Sequence, residues 1–251
     1  MRLKDAVGPS QQDAKLERGL GAGYLDLVKG SSSESQAGTA GLLAAAGAGE
    51  RLGRGPKAFL RLAGATLLER SVTALTEVVD EVIVAVPKAE LERGQQLLPG
   101  ARFVAGGATR QETVFLLLQA TSAHLVLVHD VARPFLERAV GDRVLAAARA
   151  LGAASAARPV ADTLIEATSG ANVARDELRS VQTPQGFRRE LLLEAHRAAL
   201  DSGRVATDDA GLVRAIGAQV ELVAGSPWLF KLTTPEDLAF AESLARSWDD
   251  E

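Results

Sequence analysis

Residues 41–59 read Gly-Leu-Leu-Ala-Ala-Ala-Gly-Ala-Gly-Glu-Arg-Leu-Gly-Arg-Gly-Pro-Lys-Ala-Phe. The apolar run at residues 41–46 predicts a strand, and the glycines after it predict a tight turn. Two fixed cations, Arg51 and Lys57, lie beyond that turn. Glycine lets backbone amides approach phosphate oxygens, and the cations can neutralise the charge that builds up when a phosphoanhydride breaks. The stretch therefore predicts a loop that handles a triphosphate.

The spacing of the glycines excludes two commoner phosphate-binding motifs. A dinucleotide-binding fingerprint needs a third glycine three residues after the second, but Leu52 stands there and Gly53 comes one residue later. A P-loop needs Gly-Lys followed by Ser or Thr, and the sequence has no such triplet.

Length and composition favour one main, soluble domain. The chain has 251 residues, long enough for one α/β domain with a buried core. Its formal charge is −4 with dispersed cations, so we expect no nucleic-acid partner. Cysteine is absent, which excludes disulfides and thiolate chemistry and fits a reducing cytoplasm. The apolar runs are shorter than the roughly 20 residues that span a bilayer, so we expect no membrane partner.

Residues 1–38 differ from the rest of the chain. They mix charged residues with Gly and Ser, end near a serine run, and lack the apolar centre of a signal peptide. We predict a flexible extension with no catalytic part, followed by one domain over residues 39–248.

After the extension, apolar runs of strand length alternate with amphipathic stretches of helical length. This alternation predicts an α/β fold with a mostly parallel sheet flanked by helices. The predicted strands cover residues 41–46, 82–86, 102–105, 125–129, 154–159 and 220–223. The predicted helices cover residues 67–77, 111–121, 143–150, 189–201, 208–216 and 235–247, the last with Thr234 as N-cap.

Residues 160–182 break the alternation. They are polar, and residues 162–167 and 173–182 could pair as a hairpin around Gly170 and Asn172. Because an isolated two-stranded ribbon is marginal in water, such an arm needs a partner surface.

Asp130 directly follows the apolar run that ends at His129. Ligands of open parallel sheets bind beyond the carboxyl ends of the strands, so Asp130 is the candidate to hold Mg²⁺ beside the phosphate loop. We interpret His129 as a hydrogen-bonded structural residue, and Asp208 as a residue of a helix start in preference to a metal ligand.

Together with the loop, several separated motifs resemble the 2-C-methyl-D-erythritol 4-phosphate cytidylyltransferases of the non-mevalonate isoprenoid pathway, which are sugar-phosphate nucleotidyltransferases. The resemblance runs from about Thr39 to about Arg246. The motifs are Gly106-Gly107 with Arg110-Gln111-Glu112-Thr113-Val114, His129-Asp130-Val131-Ala132-Arg133-Pro134, residues 159–163, Thr183-Pro184-Gln185, Thr207-Asp208-Asp209-Ala210 and residues 231–238.

The resemblance implies a Rossmann-like, GT-A-like nucleotidyltransferase fold with a projecting β-arm, and a homodimer in which the arm embraces the second subunit. It implies that CTP and a polyol phosphate are the substrates and Mg²⁺ the cofactor. The implied nucleotide-binding residues are Ala45, Ala46, Gly47, Gly49, Gly106, Gly107 and Thr113. The implied catalytic residues are Arg51, Lys57, Arg175 and Lys231, and the acceptor-binding residues are Arg133, Thr163, Arg175 and Lys231.

Two alternatives stay open at this point. A ribitol 5-phosphate cytidylyltransferase would take an acceptor that differs in few groups. A non-catalytic nucleotide sensor on the same fold would not need both Arg51 and Lys57, which argues against it. Trp228 also departs from the family pattern, because it stands where some members carry an acidic residue able to share the metal.

Overall fold

The computed structural model describes residues 38–47 and 55–249. The strands are β1 Thr39–Ala44, β2 Arg61–Leu62, β3 Ala65–Thr66, β4 Glu81–Val86, β5 Arg102–Ala105, β6 Leu125–Asp130, β7 Ala153–Pro159, β8 Leu164–Ile165, β9 Asn172–Val173, β10 Arg179–Arg188 and β11 Glu221–Ala224. The helices are α1 Leu67–Thr76, α2 Leu91–Leu97, α3 Arg110–Gln119, α4 Arg138–Leu151, α5 Arg189–Ser202, α6 Asp209–Ala215 and α7 Pro235–Trp248.

Seven strands form one central sheet in the order β11-β7-β10-β6-β1-β4-β5. The strands β6, β1, β4 and β5 run parallel to one another, and β7 runs parallel to β11. Strand β10 runs antiparallel to both β6 and β7. The prediction of a mostly parallel α/β sheet is therefore confirmed.

Both faces of the sheet are buried, which explains why its strands are continuous apolar runs. Alternate residues of β1 face opposite sides: Leu43 packs with α1, α4 and α7, whereas Leu42 packs with α3, α5 and α6. On the second side Phe115 is fully buried, and burial of such a side chain stabilises the fold by about 1.5–3 kcal/mol. The sheet is thus held rigidly between two helical layers.

Strand β10 is longer than the sequence indicates. The prediction ended it at residue 182, but its buried half continues through Pro184 to Arg188. Proline cannot donate to a ladder and is tolerated in a sheet at irregularities. The pairing of β10 with β7 is indeed interrupted between Val181 and Gln185.

The predicted arm over residues 160–182 is therefore partly wrong. Residues 179–181 pair with β7 of the same domain, and Gln182 is buried. What projects is residues 160–178, with a short hairpin in which Leu164 pairs with Val173. Almost all residues of this segment are exposed, and Ile165 is 60% exposed. We call residues 160–178 the arm from here on.

Other element ends follow local chemistry. Helix α4 begins at Arg138, five residues before the predicted start, and includes Gly141, where a Cβ would come within 2.7 Å of Val78. Helix α7 begins as predicted, with Thr234 and Asp237 forming a capping box.

Among the described residues, no helix combines the length and the apolar character needed to cross a lipid bilayer. The predicted extension lies, apart from Gly38, outside the described residues.

Candidate active site

A cleft of about 510 Å³ opens at the carboxyl edge of the sheet. Its walls come from the ends of β1 and β6, the turn before α3, and the segment before α7. The residues that line it are Ala44, Ala46, Gly47, Lys57, Gly107, Ala108, Thr109, Arg110, Thr113, Asp130, Val131, Ala132 and Lys231. Among these described residues, three are cations and one is a carboxylate, so the cleft suits a highly anionic ligand.

Asp130 lies at the centre of the charged groups. It ends β6, and its two carboxylate oxygens accept from Arg110 Nε at 2.9 Å and from Lys231 Nζ at 2.7 Å. Burial alone would raise the pKa of Asp130, but Arg110 and Lys231 hold it well below its ordinary value. Asp130 is therefore an ionised carboxylate at neutral pH.

The backbone next to Lys231 brings Lys57 and Lys231 into the same cleft. Leu232 N–H donates to the Ala132 carbonyl at 2.9 Å, which fixes this chain beside the end of β6. Lys57 Nζ donates to the Leu232 carbonyl at 2.7 Å. Lys57 opens a short 3-10 turn, Lys57–Phe59, whose Ala58 and Phe59 are buried. Two lysines from opposite ends of the domain sequence thus reach one cleft.

The turn over residues 106–109 is shaped by its own side chains. Thr113 Oγ1 donates to the Thr109 carbonyl at 2.8 Å and accepts from Gly107 N–H at 3.1 Å. A Cβ on Gly106 would lie 2.2 Å from the Cβ of Ala46. Glycine is needed here because the turn packs directly against the loop after β1.

Three predicted residues support the cleft without lining it. Ala45 is buried, and its N–H extends the ladder to Ala85. Gly106 packs behind Ala46. Arg133 donates to the Leu229 carbonyl, and burial, together with Arg110, lowers the pKa of its guanidinium.

Thr163 and Arg175 lie on the exposed arm and are not among the residues lining the cleft. Arg175 donates to the Ala161 carbonyl within the arm. Arg51 and Gly49 lie outside the described residues.

His129 and Asp208 have the structural roles that the sequence predicts. His129 is fully buried, and its Nε2 contacts the Arg133 carbonyl at 2.9 Å. Burial lowers the pKa of His129 to about 4, so the ring is neutral. Asp208 is the N-cap of α6 and accepts from Gly211 N–H at 2.9 Å.

Arg110 is the cleft residue that sequence reasoning missed. Arg110 belongs to one of the family motifs, but the motif alone assigns no role to its side chain. An arginine at the first position of a helix is unfavourable for the helix dipole, and this is the sequence signal that points to a nearby anion. Its guanidinium is bound on one side by Asp130 and on the other by the buried Asp209, at 2.8 Å.

A model of the 2-C-methyl-D-erythritol 4-phosphate cytidylyltransferase family matches residues 39–247, which include all of the cleft. The chain belongs to this family. The cytidylyltransferase of that name from Deinococcus radiodurans is 54% identical over 211 residues, which cover 82% of this chain and 89% of the relative. The one from Thermus thermophilus is 50% identical over 210 residues, which cover 82% of this chain and 97% of the relative.

Solved structures of this cytidylyltransferase family have the same fold. The crystal structure of the Thermus thermophilus cytidylyltransferase aligns with a TM-score of 0.73 at 48% identity, covering 82% of this chain and 98% of that one. A 4-diphosphocytidyl-2C-methyl-D-erythritol synthase structure from Anaerococcus prevotii aligns with a TM-score of 0.74 at 27% identity, covering 84% and 99%.

Proposed function

We propose that this chain transfers the cytidylyl group of CTP to 2-C-methyl-D-erythritol 4-phosphate, giving CDP-methylerythritol and pyrophosphate, a step of non-mevalonate isoprenoid biosynthesis. The observation that carries the proposal is the family match over residues 39–247, which include a cleft with three cations around one carboxylate. We also propose a cytoplasmic location, which the cysteine-free composition suits.

The chemistry needs neither a covalent enzyme intermediate nor a general base. The acceptor phosphate is already an anion near neutral pH, and one of its oxygens attacks the α-phosphorus of CTP in line. The bond to the α–β bridging oxygen breaks, and pyrophosphate leaves with the electron pair. Catalysis is therefore positioning together with stabilisation of developing charge.

Lys57 and Lys231 supply positive charge at two places in the cleft. We assign Lys57, with Arg51, to the charge that develops on the phosphates, and Lys231, with Arg175, to holding the acceptor phosphate. Lys231 Nζ lies 2.7 Å from Asp130. It can exchange this contact for a phosphate oxygen without leaving the cleft.

Asp130 fits the part of a magnesium ligand. No group of three or more His, Asp or Glu side chains is placed to hold a metal in the described part of the chain. Mg²⁺ does not need one, since it binds one or two carboxylates together with substrate phosphates and waters. When bound, Mg²⁺ would neutralise phosphate charge and orient the triphosphate.

The turn over residues 106–109 supports a preference for cytosine. The hydroxyl hydrogen of Thr113 is already donated to the Thr109 carbonyl. The Thr113 hydroxyl oxygen has two lone pairs, and one of them accepts from Gly107 N–H. The oxygen can therefore accept one more hydrogen bond. An acceptor suits the amino group of cytosine and opposes the carbonyl that uracil has in its place.

We further propose that the active form is a homodimer. The arm over residues 160–178 carries Thr163 and Arg175 and is largely exposed in the single chain. A second subunit would cover the arm, and its cleft would receive these two residues.

Release of pyrophosphate tests the proposal directly. CTP should turn over with methylerythritol phosphate and far less with ribitol 5-phosphate, and UTP and ATP should be poor donors. Faster turnover with ribitol phosphate would move the assignment to that acceptor. Binding of CTP without turnover of either acceptor would favour a nucleotide sensor.

A further inference from the structure

A second carboxylate lies behind the wall of the cleft, and the chemistry above does not use it. Asp209 opens α6, and its side chain is 1% exposed. One carboxylate oxygen lies 2.8 Å from Arg110 Nη1, and the other lies 3.5 Å from Nε2 of the buried His196. Asp209 is not among the residues that line the cleft.

The charge of Asp209 is stabilised mainly by Arg110, with a further contribution from His196. Burial alone would raise the pKa of Asp209, and the neighbouring guanidinium holds it below its ordinary value. Arg110 needs the carboxylate in return, because it opens α3, where the helix dipole disfavours a cation. Asp209 stands at the start of α6, where the dipole favours an anion.

The two carboxylates hold the same guanidinium from opposite sides. Asp130 binds Arg110 Nε at 2.9 Å from within the cleft, and Asp209 binds Nη1 from the protein interior. An incoming triphosphate can compete for the contact with Asp130, which is exposed to the cleft. It cannot reach the contact with Asp209, which is buried.

We propose that Asp209 is a positioning residue that keeps the Arg110 guanidinium in the cleft wall, aimed at the triphosphate, while the contact between Arg110 and Asp130 gives way to phosphate oxygens. The inference rests on the proposed function, since it takes the ligand of the cleft to be a triphosphate. Without the Asp209 charge, Asp130 is the one carboxylate left to hold Arg110 among the described residues. A phosphate that displaces Asp130 then leaves the guanidinium without a fixed position.

The test replaces Asp209 by Asn, with Asp208→Asn as the matched control. Both changes remove one negative charge at the start of α6, and Asn caps a helix about as well as Asp. Asp208 contacts Gln185 and Gly211 but not Arg110. Residues that orient a binding group typically change affinity or activity by about 10–100-fold when they are removed. Asp209→Asn should therefore raise the KM for CTP about tenfold or more, with the KM for the acceptor little changed, whereas Asp208→Asn should leave both near wild type.

Calorimetric binding of CTP to Arg110→Gln, Asp209→Asn and the double variant separates positioning from general damage. If Asp209 acts through Arg110, the double variant binds CTP as weakly as Arg110→Gln alone. Thermal unfolding of each variant confirms that the protein is folded at the assay temperature. If Asp209→Asn alone does not fold, the comparison of Arg110→Gln with the double variant still decides, because the double variant has neither the Arg110 charge nor an unpaired carboxylate at position 209.

Two results would overturn the inference: an equal KM for CTP in the Asp209→Asn and Asp208→Asn proteins, or a further loss of CTP affinity when Asp209→Asn is added to Arg110→Gln. Failure of the proposed function is a separate outcome. In that case the wild-type protein does not turn over CTP with the acceptor, while the binding measurements remain interpretable.

Discussion

At the scale of single residues, the cleft is organised by contacts that hold cations next to Asp130. Burial alone would raise the pKa of this carboxylate. Arg110 and Lys231 prevent this, and each arrives from a different part of the chain. The charge state of the site is therefore a product of the tertiary fold.

Lys57 should matter to the rate more than to binding. We expect Lys57→Ala to lower kcat by about 10²-fold or more, the scale on which a positioned charge-stabilising group acts. Lys88→Ala is the matched control, since Lys88 also follows a proline and opens a 3-10 turn but is absent from the cleft. Steady-state kinetics with CTP measure both variants. An unchanged kcat with only a raised KM for CTP would refute the assignment of Lys57 to the transition state.

His129 should make the protein less stable in mild acid. As the pH falls below about 6.5, the unfolded chain protonates this histidine, whereas the folded protein resists until its pKa of about 4. Folding stability should therefore decline through this window, by about 3 kcal/mol from this residue at full extent. His129→Gln should flatten that part of the profile. Urea unfolding at a series of pH values measures it, and parallel profiles for the two proteins would count against a neutral buried ring.

At the scale of elements, the turn between β5 and α3 ties the base-recognition region to the phosphate loop. Gly106→Ala places a methyl group 2.2 Å from the Cβ of Ala46, so one of the two segments must move. We expect the KM for CTP to rise about tenfold or more, since a misplacement of about 1 Å can cost 10²-fold in rate. Gly100→Ala is the control, because nothing lies within 4 Å of its added Cβ. Equal kinetics for the two variants would show that the turn tolerates the shift.

The sequence predicts an element well when the residues that define its ends are neighbours in the chain. The ends of β5 and the start of α7 follow from an apolar run and from a capping box. The extent of β10 does not follow from a local pattern, because its irregular pairing with β7 around Pro184 depends on the partner strand. Arg110 was missed for the same physical reason. Its two carboxylate partners lie 20 and 99 positions away in the chain, so no window of sequence shows them together.

At the scale of the whole molecule, the arm decides whether a cleft is complete within one subunit. If Arg175 serves the neighbouring cleft, a dimer of one Lys57→Ala subunit and one Arg175→Ala subunit has one site with both defects and one with neither. Equal mixing of the two inactive proteins should therefore restore about a quarter of the wild-type activity. Absence of recovery, once subunit exchange has been verified by mass spectrometry, would place the action of Arg175 within its own subunit or nowhere.

The chain contains two tryptophans, Trp228 and Trp248, and their rings lie 6.4 Å apart at the base of the segment that holds Lys231. Trp228 is 38% exposed and stands three residues before Lys231. All indole emission of the protein therefore comes from one neighbourhood. The native chain is its own optical probe, and a substrate phosphate that draws Lys231 away from Asp130 should be visible in the intensity and wavelength of that light, without any dye attached.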